Sequence, residues 1–91
     1  MTPPDDVPRL IRALPLGSTT GTAHGSRWTA VRHDFSEGRA IKLVAEELGG
    51  TGYISLNLYD LTTGPRLFPC EMPSARVIDF LRSFVPDPRT V

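Results

Sequence analysis

Between Arg27 and Met72 apolar and polar residues alternate in four stretches: Arg27 to Phe35, Arg39 to Leu48, Tyr53 to Leu61 and Arg66 to Met72. A period of two predicts strands with one buried face. The breaks, Ser36-Glu37-Gly38, Gly49-Gly50-Thr51-Gly52 and Thr62-Thr63-Gly64-Pro65, each contain glycine, which tight turns favour because a positive φ is costly for residues with a Cβ. Strands joined this closely predict a four-stranded antiparallel meander. After Pro73 the period lengthens to 3.6. Over Ala75 to Val85 it gathers Val77, Ile78, Leu81 and Phe84 on one stripe, which Phe80 widens, with Arg76, Asp79 and Arg82 outside it. Ser74 is the expected N-cap, and Pro86 and Pro88 end the helix. The expected fold is α+β: a meander followed by one C-terminal amphipathic helix. That helix has more apolar face than one sheet covers, so Val77, Ile78, Phe80, Leu81 and Phe84 are expected to pair two copies into a homodimer.

Residues 1–26 read differently. Pro3, Pro4, Pro8 and Pro15 precede the Gly/Ser/Thr-rich run from Gly17 to Gly25, a composition typical of a mobile arm or linker. Within it, Asp5 or Asp6 can cap a short helix over 7–14 that places Leu10, Ile11 and Leu14 on one face. Such a piece is marginal alone, so it is docked or disordered. The main domain is expected over 27–91, with a flexible or loosely helical N-terminal arm before it.

Parity along the strands divides the sheet into two faces. Ile54, Leu56 and Leu58 on the third strand, with Ile41, Leu43 and Ala45 on the second, form the core face. The helix is expected to cover it, leaving an open face with Lys42, Tyr53, Asn57 and Tyr59. On the first strand Trp28, Ala30 and Arg32 oppose Thr29, Val31 and His33, and parity alone does not say which set is buried. With Val31 in the core, Trp28 and Arg32 join the open face.

Composition changes this picture little. The 91 residues allow one small domain, whose core must be compact or completed by a partner chain. Ten basic and ten acidic side chains cancel, which argues against a generic polyanion binder but leaves room for a local basic patch. Cys70 is the one cysteine, so no internal disulfide forms, and beside apolar residues it reads as a packing residue. His24, in the arm, reads as exposed; with His33 it has no ligand cluster at metal spacing, so no metal is expected. Adjacent Glu46 and Glu47 point to opposite faces and cannot flank a substrate. With no phosphate loop, nucleophile elbow or zinc-protease motif, the expectation is a non-enzymatic protein with no catalytic residues and no cofactor. The N-terminal residues lack a secretory pattern and no apolar run approaches membrane-spanning length; the expected location is a reducing cytoplasm, with no membrane partner.

The segment Ile41 to Tyr59, a long strand, Gly-Gly turn and strand ending in an aromatic residue, together with Glu71 to Phe84, a last strand running into a helix, resembles the positive-cofactor-four family of single-stranded DNA-binding transcriptional coactivators. The resemblance implies a curved sheet that binds nucleic acid and helices that pair two copies. It makes Lys42, Tyr53, Asn57 and Tyr59 binding residues. Trp28 and Arg32 extend the candidate site if they share the open face. Aromatic rings on which bases stack, interleaved with cations along a phosphate track, are what single-stranded DNA or RNA requires. The alternative is a protein-interaction or assembly module with the same fold, its tyrosines serving as contact anchors.

Overall fold

The computed structural model describes residues 1–88. It is α+β, with an open antiparallel sheet of six strands and two helices: α1 (Asp6–Ala13), β1 (Gly17–Ala23), β2 (Ser26–Phe35), β3 (Ala40–Glu47), β4 (Tyr53–Leu61), β5 (Gly64–Pro69), α2 (Ser74–Ser83) and β6 (Val85–Pro86). The strand order is β5-β4-β3-β2-β1-β6. Both helices lie on one face of the sheet, so the molecule is a slab of 38 × 33 × 19 Å with a helical layer and a bare sheet face.

The meander expected between Arg27 and Met72 corresponds to β2 through β5. Two elements fall in the supposed arm: a strand where a linker was expected, and the short helix in its docked form. Residues 17–23 form β1, paired along its whole length with β2 from Gly17 opposite Arg32 to Ala23 opposite Ser26. Thr19, Thr20 and Thr22 supply β-branched side chains that suit a pleated strand. The β1–β2 connection is the two-residue turn His24-Gly25, with φ of 51° and 77°, the geometry that matches the twist of a hairpin. The Gly/Ser/Thr composition of a linker is here that of a strand of small residues over which another layer passes closely. Gly21 shows why: a Cβ there would collide with the Val85 carbonyl and the Phe84 ring.

The helix over 7–14 is docked, as Asp6–Ala13. Val7, Ile11 and Leu14 are buried and join the core, and Leu10 packs at its margin. Eight residues of helix are too few to persist in water alone, so this burial is what holds α1. Asp6 fixes it to α2 through Arg82, with Nε to Oδ2 at 2.9 Å and Nη2 to Oδ1 at 3.0 Å. The α2 boundaries differ from expectation at both ends: Pro73 occupies the N-cap position and Ser74 is already helical, with no side-chain cap bond, and the helix ends at Ser83, two residues short of Val85, which with Pro86 turns into β6 and pairs with β1.

The apolar stripe of α2 is used within the chain. Val77, Phe80, Leu81 and Phe84 are buried and Ile78 is partly buried, all packed with Ile41, Leu43, Ile54, Leu56, Leu58 and Leu67 from the sheet. The expectation that these five residues form a dimer interface is therefore corrected: α1 lies beside α2 and the sheet is wider than a four-stranded one, so the stripe has enough of its own chain to cover it. Full burial of each large aliphatic side chain contributes about 1.5–3 kcal/mol, which explains why the chain closes over this face.

Both sheet edges carry blocking features. On the β5 edge Met1 and Leu67 exchange main-chain hydrogen bonds, N to O at 2.7 and 2.9 Å, and Pro65 and Pro69 present no N–H. On the β1 edge Val85 and Pro86 pair with Thr22 and Gly21, and the Asp87 N–H donates to the Thr20 carbonyl at 2.9 Å. Such devices discourage strand addition at an edge.

Candidate functional site: the open sheet face

Register across β2–β5 arranges the bare face in rows. Val31, Val44 and Ser55 form a central row beside Cys70, whose N–H donates to the Ser55 carbonyl. Two residues along the strands lie His33, Lys42, Asn57 and Phe68, and two further Phe35, Ala40, Tyr59 and Arg66. In the opposite direction come Thr29, Glu46 and Tyr53. The rings form two pairs: His33 with Phe35 at 5.7 Å between centroids, and Tyr59 with Phe68 at 5.5 Å, both edge-on. Between the pairs runs β3, which contributes small Ala40, then Lys42 and Val44. Since neighbouring strands lie about 4.8 Å apart, the pairs flank a channel roughly 10 Å wide. At the Ala40 end lies an open groove lined by Ser36, Arg39, Ala40, Tyr59, Asp60, Leu61, Thr62 and Thr63.

Of the residues expected at the site, Lys42, Tyr53, Asn57 and Tyr59 lie on this face. Lys42, Tyr53 and Tyr59 are exposed; Asn57 is half-buried and its Nδ2 donates to Cys70 Sγ at 3.6 Å. Cys70 is thus partly exposed and beside the open face rather than packed in the core.

Trp28 and Arg32 are on the other face, which corrects their assignment. Register pairs Ala30 with Ala45 and Arg32 with Leu43, so both residues share the side of Ile41, Leu43 and Ala45. Trp28 is 8% exposed and its ring lies 4.9 Å from that of Phe80, because the largest apolar side chain gains most from the helical cover. Arg32, 9% exposed, is tolerated there because every part of its guanidinium is used. Nη1 donates to the Leu14 carbonyl at 2.7 Å and to that of Arg12 at 3.0 Å, while Nε and Nη2 reach Asp34 at 2.9 and 3.0 Å. It closes the C-terminal end of α1, where free carbonyls favour a cation.

The cost of burying that parity is that Val31, His33 and Phe35 face solvent. Val31 is 41% exposed and Phe35 51%, and across the sheet Phe68 is 47% and Tyr59 38% exposed. Sequence reasoning missed Phe35, His33, Phe68 and Arg66 as members of the face. The signal for the first two was the shared parity with Val31; for the others it was the alternation of Arg66 and Phe68 around Leu67.

His24 is exposed but not idle: its Nε2 lies 2.6 Å from Asp79 Oδ2 and 3.0 Å from Ser83 Oγ. One nitrogen faces both partners, so this is a clamp between the β1–β2 turn and α2, not a relay in which each ring nitrogen has its own task. Among the described residues no group of three His, Cys, Asp or Glu side chains could hold a metal ion, and no helix is long and apolar enough to cross a membrane. No family model, curated protein or solved structure matches this chain, and the resemblance to the positive-cofactor-four family rests on the sequence pattern alone.

Proposed function

We propose that the chain is a non-enzymatic docking module that holds a protein partner on the open face of its sheet. The observation that carries this reading is the gathering of exposed Val31, Phe35, Tyr59 and Phe68 on one sheet face, with half-buried Val44 among them, in a molecule that covers the other face with helices and blocks its edges. Contiguous exposed apolar surface of this kind marks interaction sites. The rings of Phe35, Tyr59 and Phe68 share this face with few charges left unpaired among the described residues, Lys42, Arg66 and Glu46, while Arg27 is held by Asp87, and aromatic enrichment with sparse charge is the anatomy of protein interfaces.

A second reading, a single-stranded nucleic-acid binder and transcription or DNA-metabolism cofactor, is favoured by the two ring pairs with Lys42, Asn57 and Arg66 among them. Its site is Lys42, Tyr53, Asn57 and Tyr59 extended by His33, Phe35, Phe68 and Arg66, without Trp28 or Arg32. Against it, Val31 and Val44 in the central row offer bases no ring to stack on, and Glu46 offsets one of the two cations.

A photo-crosslinking residue placed at Phe68, and in a separate variant at Arg76 on the helical layer, separates the readings in cells. Protein adducts from position 68 and none from position 76 support docking on the sheet. Nucleic-acid adducts from position 68 favour the second reading, and equal yields from both positions overturn the assignment of the face.

A further inference from the structure

We infer that the occupant of the open face is a second copy of this chain, stacked sheet on sheet about a twofold axis that crosses the strands at the level of Val31, Val44 and Ser55. The inference rests on the docking reading above and names its partner.

The charge pattern of β3 selects the arrangement. Lys42, Val44 and Glu46 follow one another on the open face, with Lys42 and Glu46 exposed. At about 3.4 Å per residue, the two charges stand about 7 Å to either side of Val44. Among the described residues neither is in an ion pair. A closed pair of copies presents the same patch to itself, so each surface must complement its own image. An axis running along the strands lays Lys42 on Lys42 and Glu46 on Glu46. An axis running across them turns the second copy end for end, and Lys42 of each copy then meets Glu46 of the other, twice per dimer.

On the neighbouring strands the operation adds polar pairs and a valine contact and lays Phe35 over Arg27, so the charges of β3, not the ring pairs, select the axis. On β4 the same operation lays Asn57 over Tyr53, and on β2 His33 over Thr29, polar against polar, while Val31 and Val44 meet their own images at the axis. The natural offset of about 30° between two stacked sheets shifts these positions by only a few ångströms. The area is also adequate. Five strands about eight residues long span a plane of roughly 600 Å² before side-chain relief is counted, close to the roughly 800 Å² per partner of a standard stable interface.

Sedimentation equilibrium on the full chain, for the wild type, K42E, E46K and the K42E/E46K double variant, tests this directly. Both positions are exposed, so each variant is expected to retain the wild-type circular dichroism spectrum. Should a reversed charge unfold the chain, K42Q and E46Q carry the same comparison, each weakening the dimer. The expected result is a wild-type dimer, single reversals that raise the dissociation constant by at least about tenfold because like charges then face each other, and a double reversal that returns it to within about threefold of wild type. A wild type that stays monomeric at several hundred micromolar overturns the inference, as do folded single variants that associate unchanged or a double variant weaker than either single. A monomer whose position 68 crosslinks to a different protein overturns the second copy and keeps the docking reading. Crosslinking only to nucleic acid overturns both.

Discussion

The two faces of one sheet are built from the same strands and meet opposite fates. On the covered face Leu43, Leu56 and Leu67 are fully buried beneath two helices; on the bare face Val31, Phe35 and Phe68, the last two next neighbours along the chain of buried or rim positions, stay in solvent. Nothing in β-propensity separates the sets, since both are rich in branched and aromatic residues. The difference lies in what the rest of the chain supplies: one helix from each end, both directed to the same side. Stability therefore resides on one face, and the other is free to be used.

The largest expected effect breaks the comparison on its covered side. Leu56→Ala should cost about 2–5 kcal/mol, read as a drop in the denaturation midpoint, because it opens a cavity under both helices. Phe68→Ala on the bare face should change folding stability by under about 1 kcal/mol. Similar losses at the two positions would mean that the faces are not distinct.

Arg32 sharpens the same contrast, being a charged residue buried on the apolar side. Arg32→Ala leaves the Leu14 and Arg12 carbonyls and Asp34 without their donor, and should cost about 2–3 kcal/mol in chemical denaturation. Arg66→Ala, on the bare face, should be nearly neutral by the same measurement.

The smallest effect concerns acid. Two carboxylates at the rims titrate below their ordinary range: Asp6 through its hydrogen bonds from Arg82, and Asp87 through those from Arg27 first and Thr20 second, which bring it down to about 2. A carboxylate whose folded pKa is depressed adds stability that is fully present above its unfolded value near 4 and fades as pH falls toward the folded value. Stability should thus decline gently between about pH 4 and pH 2, and Asp87→Asn should flatten that decline.

The strands β2 to β5 and helix α2 were legible in the sequence because their alternation and stripe come from strong hydrophobic contrast. β1 was not: Gly17 to Ala23 carries no large apolar residue, and its place in the sheet is decided by pairing with β2 and by the close passage of Phe84 and Val85, both tertiary facts. Half of the site was legible for the same reason. Parity placed Lys42, Tyr53, Asn57 and Tyr59 together, but on β2 either parity set could have been core. Trp28 decided it by packing on Phe80, and Arg32 followed because α1 offered its carbonyls. No pattern in the sequence announces that second condition, because it requires the arm to be docked.

Val44 stands at the centre of the bare face, half-buried among its neighbours and remote from the helices, and Val44→Arg tests the separation of fold from docking most directly. Thermal unfolding and sedimentation of this one variant should show a chain that keeps wild-type stability to within about 1 kcal/mol and no longer associates. A variant that unfolds, or one that remains folded and associates as the wild type does, would contradict the account.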